Sequence, residues 1–355
     1  VRKTEIDSKA DVGIKCLNFM RKFTVILIAV FLVLSLSACS TSLRSVRQYA
    51  EKNGMVVVPA GWFRMGLNSA EINERPEQDV YLDTYLIDKY EVSAAQFAGF
   101  LNDKGNPDDR YFSDDRHSTV IGVSYVNGNK VENSKNPSKY VPRRGLENYP
   151  ANNVSWYGAY AYCRWRGKRL PSEAEWEKAA RCDDGRTYPW GDSMPDDKKA
   201  MYNQKWRKKG FNVMVPVNAL PEGKSCYGAL NMAGNVWEWV NDWYRQNYCN
   251  FCYGTIEDDV NLAAKLLGVP KSTITYSKEK NAEIPPRENP GGPLLGTFKV
   301  MRGGSWYDSY GDLAIRTTYR YWFHPADRYP NFGFRCAKDA PGKKDRAKSG
   351  NSGAK

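Results

Sequence analysis

Glu238 is the side chain whose setting most needs a chemical explanation. It stands in Val236-Trp237-Glu238-Trp239-Val240. Strand alternation sets Trp237 and Trp239 on one face and Val236, Glu238 and Val240 on the other. A carboxylate between two valines must reach water or find a compensating cation, because an isolated buried charge costs far more than the flanking apolar burial offsets. Asn231, three residues before Gly234, supplies an amide oxygen. A glycine turn ahead of a strand can aim carbonyls at one point, and a hard cation such as calcium takes carboxylate, amide and carbonyl oxygens together. Taken alone, this stretch leaves two readings open: a calcium site, or an edge strand with Glu238 in solvent.

Sulfur is the second source of chemistry. Apart from Cys16 and Cys39, the cysteines are Cys163, Cys182, Cys226, Cys249, Cys252 and Cys336. Cys249 and Cys252 form a CxxC among aromatic residues, a spacing that suits a redox dithiol or half a zinc site. There is no second CxxC, and His117 and His324 are isolated, so structural disulfides are the favoured reading. The pairing of Cys182, Cys226, Cys249 and Cys252 is not legible. Glu173, Glu175 and Glu177 read as a solvated helix face.

These residues need elements to hold them. Met55 to Met65 alternates as an opening strand pair, and Tyr81 to Tyr90 continues the sheet. Ala94 to Leu101 has helical spacing. Residues 102–149 are polar and rich in Asp, Asn and Gly, which reads as a long inserted loop with a hairpin around Asn127-Gly128-Asn129. Tyr157 to Arg166 and Ser172 to Arg181 read as helices, the second opened by a Ser172/Glu175 capping box. A second insertion spans 245–296, with an amphipathic piece from Val260 to Leu267 and a Pro-rich stretch from Ile284 to Leu294. Long loops on a rigid domain usually carry partner contacts.

At the N-terminus, Arg21-Lys22 precedes an apolar run from Phe23 to Leu36 and then Leu36-Ser37-Ala38-Cys39. The run is short for a membrane span and ends in small residues, as a cleaved export signal does. It resembles a bacterial lipobox, with Cys39 as the lipidated first mature residue and Met20 as the expected start. Ser40 resembles the outer-membrane sorting signal of a Gram-negative cell. Residues 1–38 are thus expected to be the signal segment, 39–53 a lipid-anchored spacer, 54–339 the domain, and 340–355 a disordered basic tail. The formal charge of +12 draws partly on the segment and the tail. In an exported protein a solvated tail is a better account of it than nucleic-acid binding. The 11 Trp, 23 Tyr and 13 Phe exceed what a disordered chain carries and imply a sizeable core.

Gly228 to Trp243 resembles the central signature of the formylglycine-generating-enzyme, or sulfatase-modifying-factor, family. Other blocks agree in the family's order: Val58-Pro59-Ala60-Gly61, Asp88 to Ser93, Asn153 to Trp156, Gly167 to Glu177, Tyr188 to Gly191, Arg302 to Trp306 and Asn331 to Cys336. The resemblance implies an α+β, C-type-lectin-like domain of short strands, a few helices and much irregular structure. It implies a Cys163–Cys336 disulfide, which should stabilise the fold by about 4 kcal/mol on the loop-entropy estimate. It also implies calcium held by side-chain oxygens of Asn231 and Glu238 and by the carbonyls of Gly234 and Val236. Asn203 matches a second family calcium site, but Lys205, Arg207, Lys208 and Lys209 stand where an acidic ligand is expected.

The family's oxidases carry two cysteines, three and eight residues after the closing Gly-Gly-Ser. These bind copper(I), which prefers sulfur, and oxidise a sulfatase cysteine to formylglycine. Here Ser305 is followed at those distances by Asp308 and Leu313, and no cysteine lies between Met301 and Arg335. Copper is therefore not expected. The expected function is a calcium-stabilised, non-oxidase binding or assembly lipoprotein at the cell envelope, gliding or secretion machinery being one setting. Its groove would be lined by Trp237, Ser305, Tyr307 and Asp308 and take an envelope protein, peptide or glycan. The rival is an enzyme of the family with altered chemistry, using Asp308 or the Cys249/Cys252 pair.

Overall fold

The strand carrying Glu238 lies inside the molecule. In the computed structural model, which describes residues 44–127, 129–132, 136–246, 288–293, 295–307 and 311–341, β8 (Trp237–Trp243) is an inner strand of a four-stranded sheet. The sheet order is β10 (Arg320–Phe323), β9 (Lys299–Arg302), β8, β11 (Phe332–Gly333). β9 runs antiparallel to β8 and β11 parallel, so Glu238 lies level with Arg302 on one side and Gly333 on the other. The alternation of β8 is used on both faces. Trp237 and Trp239 join a core containing Phe97, Phe112, Phe332 and Phe334, and Val240 joins another around Phe63, Val80 and Trp176. An edge strand with Glu238 in water is therefore excluded, since Glu238 is 0% exposed.

The opening strands β1 (Met55–Val58) and β2 (Gly61–Met65) exist, but they do not pair with each other. β1 pairs with β4 (Tyr85–Asp88), which β12 (Ala337–Asp339) flanks on its other side, and β2 pairs with β3 (Gln78–Leu82). The polar stretch 102–149 is more ordered than its composition suggests. β5 (Val120–Val126), β6 (Asn129–Glu132) and β7 (Lys139–Pro142) form a small sheet, with the expected hairpin joining β5 to β6. β7 docks on α2 (Ala94–Lys104), where the Asn102 amide donates to the Tyr140 carbonyl and accepts its N–H. Residues 44–52, in the expected spacer, form a helix, α1.

Both predicted central helices are present, α3 (Trp156–Trp165) and α4 (Glu173–Arg181). The Ser172 hydroxyl accepts the Glu175 N–H and the Glu175 carboxylate accepts the Ser172 N–H, which completes the capping box. The solvated-face reading of α4 is wrong, because every residue of the helix is buried. Glu173 pairs with Arg320 through two bonds of 2.5 and 2.9 Å, Glu177 pairs with Arg302, and Glu175 pairs with Arg169 at 2.6 and 2.7 Å. Two of these cations arrive from the last strands, so a local window of sequence could not show them. Cys163–Cys336 is bridged as expected, and Cys182 pairs with Cys226. The signal segment with Cys39, the Cys249/Cys252 pair, Asp308, and the 260–267 piece lie outside the described residues.

Candidate functional site

Two arrangements built on β8 can do chemistry, one on each of its faces. On the inner face, the Glu238 carboxylate accepts two bonds from the Arg335 guanidinium, 2.7 Å from Nε and 2.6 Å from Nη2, and a third of 2.8 Å from the Trp176 indole. The cation that balances Glu238 is thus Arg335. Glu91, in the block ahead of α2, is buried beside this pair, and its Oε2 accepts from the amides of Asn231 at 3.1 Å and Asn235 at 2.8 Å. Its Oε1 has no hydrogen-bond partner among the described residues. Burial, followed by the Glu238 charge, pushes the Glu91 carboxyl up to about 8. Two carboxylates against one guanidinium leave an excess negative charge in a dry space, which either a proton or a cation relieves. Both oxygens of Glu238 are already taken by Arg335 and Trp176, so the orphaned Oε1 of Glu91 is the acceptor that a cation here would find open. Asn203 is exposed, and its neighbours are the lysines and arginine expected from sequence.

Gly234 holds this centre to a distant segment. With φ at +80°, it lies where a Cβ would come 2.4 Å from the Met201 carbonyl oxygen, so glycine is required. The same carbonyl accepts the Asn235 N–H at 2.7 Å.

On the outer face, Trp237 and Phe332 floor a cavity of about 1050 Å³, with Trp306, Tyr321 and Phe323 in its walls and Tyr307 and Tyr329 at its mouth. The rings brace one another: Phe323 lies 4.5 Å from Phe332, Trp237 5.7 Å from Tyr321, and Trp306 5.8 Å from Trp206. Trp206 opens the short helix α5 (Trp206–Lys209) and receives the His117 ring edge-on at 4.7 Å. Of the expected groove residues, Trp237 and Tyr307 line this cavity. Ser305, expected in the groove, does not line it: it is fully buried, and its hydroxyl accepts from the Asn331 amide at 3.0 Å and donates to the Tyr307 carbonyl at 3.1 Å. Leu313, 44% exposed, opens instead onto a separate cavity of about 660 Å³ with Ile72, Phe298 and Trp322.

Sequence reasoning does not find Glu91, Arg335, Trp206 or Arg116, and it marks Lys205, Arg207 and Lys208 only as standing in place of an acidic ligand, not as the rim of this cavity. Glu91 and Arg335 both fall within blocks that were singled out, but nothing local marks them as neighbours.

The model of the sulfatase-modifying factor enzyme 1-like domain matches residues 41–340. The chain belongs to the sulfatase-modifying factor family. It is 32% identical over 318 residues to the formylglycine-generating enzyme of Mus musculus, covering 80% of this chain and 75% of that enzyme. It is 33% identical over 330 residues to that of Thermomonospora curvata, covering 83% and 96%. Among solved structures, PvdO from Pseudomonas aeruginosa superposes with a TM-score of 0.51 at 24% identity, over 80% of this chain and 94% of that one. The mixed fold with few helices and short strands is thus the fold of the family.

One further buried acid in this sulfatase-modifying-factor domain gives a pH prediction. Asp242, on β8, accepts the Glu173 N–H at 2.8 Å through Oδ2, while its Oδ1 has no hydrogen-bond partner among the described residues. Burial, then the Glu173 charge, pushes its carboxyl up to about 7. The folded chain therefore keeps a proton that the unfolded chain has released above about pH 4, and stability contributed here falls as pH rises towards 7. Asp242→Asn is expected to gain about 2 kcal/mol or more relative to the parent between pH 4.5 and 7.5, read from urea midpoints. A difference independent of pH would show that Asp242 is ionised throughout.

Proposed function

We propose that this chain is a binding or assembly protein of the sulfatase-modifying factor family that holds its ligand in the aromatic cavity and does not oxidise a cysteine. Its setting in this reading is the cell envelope, with a lipid anchor at Cys39 and an envelope protein, peptide or glycan as the ligand. The observation that carries the reading is what stands at the two positions where the family's oxidases place thiols. These are Asp308 and Leu313, and Leu313 opens onto a different cavity from Trp237 and Tyr307. All four described cysteines are closed in disulfides, so no described residue offers copper(I) a thiolate. The rival enzyme reading draws support from 33% identity to a formylglycine-generating enzyme. Oxygen uptake with copper(I) and a sulfatase-type cysteine peptide separates the two, with mass spectrometry for the aldehyde. No turnover is expected, and turnover would overturn the binding reading.

Calcium at Asn231, Gly234, Val236 and Glu238 is part of the same proposal. The ion would supply the positive charge that Glu91 and Glu238 lack once Arg335 is counted. Calcium at a hundredfold excess over its dissociation constant is expected to add about 2.7 kcal/mol of stability. The checks are thermal unfolding with calcium or chelator, and elemental analysis of the purified protein. No shift in unfolding together with no bound calcium would remove the ion from the proposal.

A further inference from the structure

We propose that the ligand of the aromatic cavity is an acidic oligosaccharide, a short run of pyranose rings bearing carboxylates or sulfates. The inference rests on the binding reading above and adds the chemistry of the occupant.

The first observation is the distribution of unneutralised charge. Arg116, Lys205, Arg207 and Lys208 all line the cavity. Among the described residues none of the four pairs with a carboxylate, and the guanidinium of Arg116 donates to the His117 ring nitrogen. Some other surface cations have an acidic partner close by, as in Lys130–Glu132, Arg186–Asp184 and Lys199–Asp196, but these four are gathered at one opening without one. Four cations gathered at the mouth of a low-dielectric cleft repel one another and raise the local concentration of anions. That arrangement costs stability unless a negative ligand offsets it.

The second observation is the wall. Eight Phe, Tyr and Trp side chains line the cavity, Trp206, Trp237, Trp306, Tyr307, Tyr321 and Tyr329 among them. The negative face of an aromatic ring attracts the polarised C–H groups of a pyranose, whose hydroxyls point outward to solvent and to the rim. Tyr307 and Tyr329, 63% and 48% exposed, are placed to meet a second ring beyond the first. A volume of about 1050 Å³ is at the upper end of the range for small-ligand pockets, about 300–1,000 Å³, which gives room for more than one sugar.

A peptide is the less suitable occupant. An extended peptide needs partners for its backbone N–H and C=O groups, because leaving them buried and unmade is costly. Among the described lining residues most polar side-chain groups are donors, those of Arg116, Lys205, Arg207, Lys208, Trp206 and Trp237, so acceptors for a peptide's N–H groups are scarce. The Asn331 amide is already committed to the Ser305 hydroxyl, and the Ser305 hydroxyl to Tyr307.

The test is calorimetric titration of the purified chain with an α-1,4-linked galacturonate tetrasaccharide, its neutral methyl ester, and an acidic aromatic hexapeptide. The acid sugar is expected to bind at least tenfold more tightly than its ester, and to weaken as salt rises from 0.05 to 0.5 M. Arg207→Ala with Lys208→Ala should lose about tenfold for the acid sugar and leave the ester unchanged. Both side chains are exposed, so folding is not at stake. Trp206→Ala should weaken both sugars. Equal binding of acid and ester, or no binding of the acid sugar, would overturn the proposal. Preference for the peptide would overturn it while leaving the binding reading standing. Aldehyde formation in the oxygen assay is the separate result that would overturn the binding reading itself.

Discussion

Replacing Glu238 with alanine is expected to destabilise the fold by about 3–5 kcal/mol, the range measured when one partner of a buried ion pair is removed. Arg335 would then be left 0% exposed without the carboxylate bonded to its guanidinium, with Glu91 beside it but not hydrogen-bonded to it. It could not turn away to water, because its other donors are held by the carbonyls of Asp88, Lys89 and Leu230. The Trp176 indole would lose its acceptor in the same step. Such a loss is a large share of the stability of an ordinary domain, about 5–15 kcal/mol. Urea unfolding in chelator, which takes calcium out of the comparison, is the measurement. Glu238→Leu combined with Arg335→Leu should recover part of the loss, since removing both charges avoids an unpaired buried ion. The recovery stays partial because three carbonyls lose a donor. A shift below about 1 kcal/mol for Glu238→Ala would mean that the pair is far better hydrated than its burial indicates.

The second large effect is expected at the Cys163–Cys336 bond. It joins α3 to the residue before β12 and closes a loop of 173 residues, so Cys163→Ala with Cys336→Ala should cost about 5 kcal/mol on the chain-entropy estimate. Cys182–Cys226 spans 44 residues, and removing it should cost about 1 kcal/mol less on the same estimate. Thermal unfolding of the two double variants, without reductant, gives the comparison. If the shorter bridge proves the costlier, native packing at the bridge outweighs the unfolded-chain entropy.

Sequence alternation was enough to set Trp237 and Trp239 on one face of β8 and Glu238 on the other, and the capping residues were enough to start α4 at Glu173. Both are local effects. What stayed hidden was non-local. Arg335, which neutralises Glu238, lies 97 residues away along the chain, and Arg320, which neutralises Glu173, lies 147 away. Charged residues at helical spacing look like a wet surface until their partners are known, so the buried network of α4 was read as solvated. Beyond the β5–β6 hairpin, strand β7 is hidden for a related reason: polar turn residues outnumber β-branched ones between 102 and 149, and docking on α2 supplies what composition does not. In the cavity, Trp237 and Tyr307 were legible. The basic rim was not, because a run of lysines and arginines carries no sign of what it faces.

Met201 has a part in both faces of the site. Its carbonyl fixes the turn at Gly234 and Asn235, and the chain reaches Lys205 and Trp206 at the cavity only a few residues later. The inner carboxylates and the outer rim thus share one short span of backbone. Whatever free energy the charge state of Glu91 and Glu238 transmits through that span to a ligand's affinity, the ligand must return in equal measure to the proton or cation on the inner side.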